Sequence, residues 1–186
     1  MSALTIYNEQ AIIQTPLTTD FLTISQQLNA VGVQFERWTA DIILESAASS
    51  ESILNAYAAS IQRLNQHYGF QSVDVIHLDN THPDKEAIRE KFLAEHTHDD
   101  FEIRFFVRGK GLFYLHLAEL VYVVLCEQGD LISVPANTAH WFDLGTAPQL
   151  SAIRLFTTNA GWLATFTHSD IALKFPSLDS YCEAFL

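Results

Sequence analysis

The chain has 186 residues, of which 22 are acidic and 10 are basic, so its formal net charge is -12. A hydrophobic fraction of 48% and 13 phenylalanines predict a compact fold with an apolar interior and argue against a disordered chain. The negative charge repels phosphate backbones and anionic lipid head groups, so no nucleic acid or membrane partner is expected.

Length and cysteine content indicate the number of domains and the cellular compartment. A chain of this size is expected to form one domain with a single core. Cys126 and Cys182 lie far apart, and no basic segment followed by an apolar one opens the chain. We therefore expect reduced thiols and a cytoplasmic location. A monomer is also expected.

The first half of the sequence predicts a mixture of strands and helices. Residues 4–7 and 33–38 are typical of short strands, and Asp20 is predicted to cap a helix that runs through Leu28. A longer helix is predicted over residues 50–66, because its apolar residues recur at spacings of four, four and three and form one face. These residues are Ile53, Tyr57, Ile61 and Leu64.

A further strand and helix lead to the middle of the chain. Residues 73–78 are rich in strand-forming side chains. After them, Asn80 or Thr81 is predicted to cap a helix with Pro83 in its first turn, and Ile88 and Phe92 lie one helical turn apart.

Beyond residue 100 the pattern changes to short strands separated by turns, which is typical of a barrel or sandwich. The predicted strands are residues 101–107, 112–117, 121–126, 131–134, 141–142 and 152–156. Gly109-Lys110-Gly111 is interpreted as a hairpin turn. The alternative, a phosphate-binding loop, is disfavoured because no helical pattern follows it.

Four residues in this half predict a metal site. In an extended segment, His96 and His98 project from the same side because side chains repeat every second residue. Glu102 adds an oxygen ligand, and His140 follows in a separate segment. Imidazole with carboxylate suits iron, nickel, manganese or zinc better than calcium or magnesium.

The strand over residues 101–107 would carry Arg104 on the same face as Glu102. If Glu102 points into a barrel, Arg104 is buried with it and needs an anion, which either Glu102 or a bound substrate can supply. The alternative is a solvated strand face with Arg104 on the surface. The remaining histidines match no metal-binding spacing and are interpreted as packed or exposed residues: His67, His77, His82, His116 and His168.

Two motifs in these segments resemble a known family. The first is His96-Thr97-His98-x3-Glu102-x6-Gly109 and the second is Gly129-x5-Pro135-x4-His140, and both fit the motifs of the cupins. More narrowly, residues 92–162 are similar to acireductone dioxygenases, through the segments 95–98, 102–107, 109–113, 129–135 and 140–142.

The resemblance implies a fold. It implies a mainly β, cupin-type β-barrel (double-stranded β-helix) with N-terminal helices packed outside, so that the protein is α+β overall. One domain would span residues 1–186, with a mixed N-terminal part (1–91), a metal-binding barrel core (92–160) and a C-terminal extension (161–186). Three positions depart from the family pattern, namely Phe101, Asn137 and Leu144. Asparagine tolerates the left-handed backbone that glycine would provide, so a turn at Asn137 remains feasible.

The resemblance also implies an activity. One Fe(II) or Ni(II) ion per chain, held by His96, His98, Glu102 and His140, would bind deprotonated acireductone for reaction with O2 in methionine salvage. With iron the products would be the keto acid precursor of methionine and formate. With nickel they would be a methylthio acid, formate and carbon monoxide.

Other site residues are implied in the same way. Arg104 would stabilise negative charge that develops on the substrate. Phe92, Phe142 and Trp162 would line a pocket for the methylthio tail, with ordinary core packing as the alternative. Arg154 would be either a second cation near the site or a surface residue.

Two other functions remain open on the sequence alone. One is a different metal-dependent cupin enzyme, such as a manganese decarboxylase or a zinc isomerase. The other is a non-catalytic cupin that stores or senses a metabolite. Binders of that kind often lack one or more ligands, whereas all four ligand residues are present here.

Overall fold

The barrel is built from two antiparallel β-sheets that share one apolar interior. The computed structural model describes residues 1–45 and 48–184. Its strands are β1 (Ala3–Asn8), β2 (Ile13–Thr18), β3 (Phe35–Arg37), β4 (Ser72–Asp79), β5 (His96–Thr97), β6 (Glu102–Arg108), β7 (Lys110–Leu117), β8 (Leu120–Glu127), β9 (Asp130–Val134), β10 (Ala139–Asp143), β11 (Gln149–Phe156) and β12 (Thr165–Phe166). Its helices are α1 (Phe21–Asn29), α2 (Ser50–Ala56), α3 (Ala58–Tyr68), α4 (Lys85–Leu93), a 3-10 helix (Ile171–Lys174) and α5 (Leu178–Glu183).

The chain crosses repeatedly between the two sheets. One sheet has the strand order β12-β5-β10-β7-β8-β1-β2, and the other has the order β3-β9-β6-β11-β4. Strands β5, β7, β8, β10 and β12 therefore lie in the first sheet, while β6, β9 and β11 lie in the second. This winding is the double-stranded β-helix of a cupin barrel, so the predicted fold class is confirmed.

Three apolar clusters hold the layers together. The barrel interior is filled by aromatic and branched side chains such as Phe106, Phe113 and Phe142. On the outer face of the five-stranded sheet, α2 and α3 pack against residues such as Phe105. On the outer face of the seven-stranded sheet, the C-terminal segment packs against Trp141. Each fully buried side chain of this size contributes about 1.5–3 kcal/mol.

The N-terminal helices have two different positions. As predicted, α2 and α3 lie outside the barrel. By contrast, α1 contributes Ile24 and Leu28 to the interior cluster and so closes the barrel. Its start agrees with the sequence analysis, because the Asp20 carboxylate accepts a hydrogen bond from the backbone N–H of Thr23.

The prediction of a single helix over residues 50–66 is wrong in one respect, because the chain forms two helices that meet at Tyr57. The backbone of Tyr57 leaves the helical region at φ -103° and ψ 17°, and its ring packs edge-on against Phe105 with centroids 5.6 Å apart. The apolar face itself is present, because Ile53, Tyr57 and Leu64 are all buried.

The next helix also begins later than predicted. Asp84 is at the N-cap of α4, so Pro83 precedes the helix instead of lying in its first turn. Thr81 is part of a tight turn, in which its backbone N–H and hydroxyl donate to the Asp79 carboxylate. This local side-chain bonding competes with a helical start at Asn80 or Thr81.

The prediction of a hairpin at Gly109-Lys110-Gly111 is also wrong. Gly109 does adopt the positive φ of 73° that a turn requires. However, β6 and β7 belong to different sheets, so this segment is a corner of the barrel and not the end of a hairpin. A Cβ on Gly109 would lie 1.6 Å from the carbonyl oxygen of Gln149, and this close approach explains why glycine occupies the corner.

Among the helices that the structure describes, none has the length and apolar character needed to span a membrane.

Candidate metal centre

Three strands bring the predicted ligands together. His140 of β10 lies directly opposite His96 of β5 in an antiparallel pair. His98 follows β5 by one residue, and Glu102 is the first residue of β6 in the opposite sheet. One ligand atom from each of the three histidines lies within 4.8 Å of the others, and all three side chains are buried.

The orientation of each imidazole is fixed by the backbone. The Nδ1 atom of each ring lies 2.8 Å from a carbonyl oxygen: Ala94 for His96, Leu163 for His98 and Thr138 for His140. A carbonyl accepts only, so the hydrogen-bond network assigns the N–H to Nδ1. The lone pair of each Nε2 is therefore free, which is the arrangement found for histidines that bind metals.

Glu102 lies beside the three histidines, on the side of the second sheet. Its Oε2 atom lies 3.5 Å from His98 Nε2 and 3.8 Å from His140 Nε2. Within the described residues, both Oε2 of Glu102 and Nε2 of His140 are buried without a hydrogen-bond partner. Buried polar atoms of this kind are costly unless something binds them, and a divalent transition metal fits both the donor set and its charge.

The charge of Glu102 is maintained by Arg104. Burial alone would raise the pKa of Glu102, but the surrounding positive groups, of which Arg104 acts most strongly, together outweigh it and lower that pKa to about 2. The two side chains are joined by hydrogen bonds of 3.1 and 2.7 Å from Nε and Nη2 of Arg104 to Oε1 of Glu102. The carboxylate is therefore ionised at neutral pH.

Burial holds His96 and His140 in the neutral form. Burial lowers the pKa of His140 to about 3, and the neighbouring His96 contributes in the same direction. Burial also lowers the pKa of His96. Neutral imidazole is the form that binds a metal, so the site needs no deprotonation of these two rings near pH 7.

A cleft of about 380 Å³ opens onto two of the histidines, His96 and His98. Phe92, Trp162, Arg104 and Arg154 are among its lining residues. The lining also includes Ile88, Lys91, Leu163, Ala164 and Phe166.

Phe142 lies behind this wall. It is 1% exposed and belongs to the barrel interior, where its ring centroid lies 6.2 Å from that of Phe92 and 4.7 Å from the Arg104 guanidinium carbon. Phe142 therefore does not line the cleft. It packs behind Phe92 and Arg104, which do line it.

The two arginines of the cleft differ in their partners. Arg104 is 2% exposed, and its Nη1 atom has no hydrogen-bond partner among the described residues. Arg154 donates to both carboxylate oxygens of Asp74, at 2.9 and 2.6 Å, and its side chain is 15% exposed. The structure thus places Arg154 in the cleft wall and not on the open surface.

The fold accommodates the three departures from the family pattern, and the backbone N–H of Asn137 donates to the carbonyl oxygen of His98 at 2.8 Å. Phe101 packs in the outer cluster, with its ring 5.7 Å from that of Tyr68. Asn137 adopts a positive φ of 61°, as expected of an asparagine at a glycine position. Leu144 is buried in the interior cluster.

Several contributors to the site were not found from the sequence. The carbonyl oxygens that orient the rings leave no signal in side-chain patterns, because every residue has one. Lys91 in the cleft wall and the buried Asp100 were also missed. Asp100 lies between His98 and Glu102, and that position is the one signal that could have drawn attention to it.

Fold and site together define a cupin whose barrel carries a buried three-histidine group able to hold a metal ion. A profile of the ARD/ARD′ family matches residues 3–164. An acireductone dioxygenase of Methylococcus capsulatus is 51% identical over 183 residues, which cover 98% of each chain. An acireductone dioxygenase of Aquifex aeolicus is 52% identical over 179 residues, covering 96% of this chain and 97% of that protein.

A solved structure of an acireductone dioxygenase is also similar to this chain. The acireductone dioxygenase of Bacillus anthracis, with a cadmium ion in its active centre, superimposes with a TM-score of 0.79 at 29% identity and covers 89% of this chain and 98% of its own. The chain belongs to the acireductone dioxygenase family and is an enzyme of the dioxygenase class.

Proposed function

We propose that this enzyme cleaves acireductone with O2 as a step of methionine salvage, using one Fe(II) or Ni(II) ion held by His96, His98, Glu102 and His140. The observation that carries the proposal is the buried group of three oriented imidazoles beside an ionised carboxylate whose Oε2 has no partner among the described residues. The names of the close relatives support the substrate.

The residues fit the proposed metal. Three nitrogens and one carboxylate oxygen suit a transition metal, and the single negative charge of Glu102 offsets part of the charge of a dication. When bound, Fe(II) or Ni(II) would supply Lewis acidity and a template for the substrate oxygens and O2.

Arg104 is proposed to stabilise the substrate anion. Acireductone, 1,2-dihydroxy-3-keto-5-methylthiopentene, is an enediol beside a ketone, so deprotonation spreads negative charge over its oxygens. The Nη1 atom of Arg104 has no partner among the described residues and can donate to one of them. In a buried site this interaction is stronger than on an exposed surface.

The cleft is proposed to select the apolar tail of the substrate. Phe92 and Trp162 provide apolar walls, and Phe142 supports Phe92 from behind. Arg154 gives a second positive charge near the polar end, because it lines the same cleft as Arg104.

The products are proposed to depend on the metal. Iron would direct the reaction to 4-methylthio-2-oxobutanoate and formate, and nickel would direct it to 3-methylthiopropanoate, formate and carbon monoxide. Both metals accept nitrogen and oxygen ligands, so the ligand set by itself does not select one of them.

The cytoplasmic location and the monomeric state expected from the sequence stay predictions.

The test uses protein loaded separately with Fe(II) and with Ni(II) and then supplied with acireductone and O2. We expect O2 uptake in both samples, the keto acid from the iron form and carbon monoxide from the nickel form. Identical products from both forms would refute the metal-dependent branch. Absence of acireductone-dependent O2 uptake in both forms would refute the proposed substrate.

A further inference from the structure

A segment that forms part of the cleft wall crosses directly over the ligand-bearing segment. This segment, residues 157–166, is called the strap. It places Trp162 and Leu163 in the cleft wall, followed by Ala164 and Phe166. Trp162 is 50% exposed and Leu163 is 54% exposed, so apolar burial does little to hold this part of the strap in place.

Hydrogen bonds to one carboxylate hold the start of the strap. Asp100 is 7% exposed and accepts from the backbone N–H of Thr158 at 2.8 Å and from its hydroxyl at 3.1 Å. The hydroxyl of Thr157 also donates to Asp100. On its own side, the same carboxylate accepts from the backbone N–H of Phe101 at 2.8 Å.

The strap is also in close contact with Asp100 at Gly161. A Cβ at that position would lie 2.2 Å from Oδ2 of Asp100 and 2.8 Å from the Cβ of Phe156. A glycine is therefore required for the strap to reach the carboxylate. The next residue, Trp162, lies in the cleft wall.

Two further contacts tie the end of the strap to the ligand segment. The Leu163 carbonyl accepts from Nδ1 of His98 at 2.8 Å. The last two strap residues, Thr165 and Phe166, pair with Thr97 and His96 as strand β12. The strap and residues 96–102 therefore form one hydrogen-bonded unit, to which the side chains of Asp100 and His98 both contribute.

We infer that Asp100 is a positioning residue that sets substrate affinity by fixing the strap and, through it, the Trp162 side of the cleft. Asp100 does not line the cleft, so it acts through Thr157, Thr158 and Gly161 instead of touching the substrate. This inference rests on the proposed function, because it assigns the strap to the site that binds acireductone.

The first test is the kinetics of Asp100→Asn. Asparagine keeps the shape of the side chain but replaces one acceptor oxygen with an NH2 group, which faces donors on the strap. We expect KM for acireductone to rise about tenfold or more, because hydrogen bonds to a charged group are lost. We expect kcat to stay within about threefold and metal content to stay that of the parent, because the ligands are unchanged.

Strap variants keep the test valid if Asp100→Asn does not fold. Thr158→Val removes the hydroxyl donor and is expected to raise KM, while Thr158→Ser retains the hydroxyl and should restore the parent value. Combining Thr158→Val with Asp100→Asn should raise KM by less than the product of the single effects, since both remove the same contact. Asn159→Ala is the matched control, because Asn159 is an exposed residue of the same strap.

A second readout does not depend on activity. In metal-free protein carrying Trp38→Phe, acrylamide quenching of fluorescence reports chiefly on Trp162, because Trp141 is fully buried. We expect stronger quenching after Asp100→Asn or Thr158→Val and parental quenching after Asn159→Ala or Thr158→Ser.

The outcomes separate this inference from the proposed function. If the parent enzyme does not consume acireductone, the proposed function fails. The quenching experiment does not depend on that activity, so unchanged quenching in Asp100→Asn would by itself overturn the role of Asp100 in fixing the strap. If the parent is active, an unchanged KM in both Asp100→Asn and Thr158→Val would overturn the inference. Loss of metal or of kcat at an unchanged KM would also overturn it, because Asp100 would then act on the ligands.

Discussion

Arg104 has two proposed roles, since it keeps Glu102 ionised and stabilises negative charge on the substrate. It is the strongest influence that lowers the pKa of Glu102 to about 2, against burial, which would raise it. Arg104→Ala should reduce kcat by about 100-fold and move the acid limb of the pH–rate profile upward, because the pKa of Glu102 rises when the cation is removed. Metal content at pH 8 should stay that of the parent.

The control for Arg104→Ala is Arg63→Ala, which removes an exposed cation stacked over Trp38 on the outside of the barrel. This variant should leave the pH–rate profile unchanged. Loss of metal from Arg104→Ala at pH 8 would show that the guanidinium supports the ligands and not the substrate.

Glu102 can be tested by metal affinity alone. Glu102→Gln keeps the size of the side chain but removes its negative charge, which is buried at 1% exposure beside the imidazoles. We expect the affinity for Ni(II), measured by competition with a chelator, to fall at least about 100-fold, more than is usual for loss of an outer partner. Glu119→Gln, at an exposed position, should bind Ni(II) as the parent does.

Among single residues, the sequence predicted which side chains converge better than it predicted the groups that orient them. The spacing of His96, His98 and Glu102 carries chemical information, since the side chains themselves bind. The carbonyls of Ala94, Thr138 and Leu163, which orient the rings, are common to every residue and were not predictable. Asp100 acts through contacts with a segment nearly 60 positions away in the chain, which no local pattern contains.

Among the elements, the corner between β6 and β7 gives a clear prediction. Gly109→Ala should destabilise the protein by at least about 3 kcal/mol, because the Cβ meets the Gln149 carbonyl in addition to the strained φ. Gly69→Ala is the matched control, since Gly69 has a φ of 69° with nothing within 4 Å of the added Cβ. It should cost about 1 kcal/mol.

Urea unfolding of both glycine variants checks this difference. Equal losses of unfolding free energy would mean that backbone strain alone, and not the close approach at the corner, explains why Gly109 is needed.

The elements that the sequence predicted well are those with strong alternation or turn signals. The strands of the barrel core from β6 to β11 were all predicted within a few residues of their ends. Strands β5 and β12 have two residues each and carry no alternation, and β2 is an exposed edge strand that contains Pro16. Such elements exist because neighbouring strands pair with them, so local sequence does not reveal them.

At the scale of the whole molecule, Arg89 and Asp143 connect three parts of the fold. Nε and Nη2 of Arg89, on α4, donate to the two oxygens of Asp143 on β10, at 2.7 and 2.9 Å. The same carboxylate accepts from the backbone N–H of Leu178 at 2.8 Å, where α5 begins. The cleft-forming helix, the barrel and the C-terminal segment are thereby joined at one buried charge.

Asp143→Asn should therefore destabilise the protein by about 3 kcal/mol at pH 7, because it leaves Arg89 without its charged partner. Burial alone would raise the pKa of Asp143, but Arg89 and the backbone N–H groups of Leu178 and Gly145 together outweigh it, so the pKa is lowered. A lowered folded-state pKa means that the stabilisation is present above the unfolded value of about 3.9 and is lost as the pH falls through the folded value.

Urea unfolding of the parent and of Asp143→Asn between pH 3 and pH 7 measures this effect. The difference in unfolding free energy should be constant from about pH 5 to pH 7 and should shrink below about pH 4. A difference that grows on acidification would contradict the assignment.

The winding of the chain was predictable only through the resemblance to the cupins. Alternation identifies strands such as β6 and β7, but it does not show that they lie in different sheets. That division depends on long-range pairing, such as β6 with β11 and β7 with β10. The same pairing brings His140 opposite His96.

The most direct test of the account is an anomalous-difference map, recorded at the nickel edge, from crystals of Ni(II)-loaded protein. We predict one peak per chain in contact with Nε2 of His96, His98 and His140 and with Oε2 of Glu102. A peak bound elsewhere, or one that lacks the imidazole of His140, would contradict the proposed metal centre.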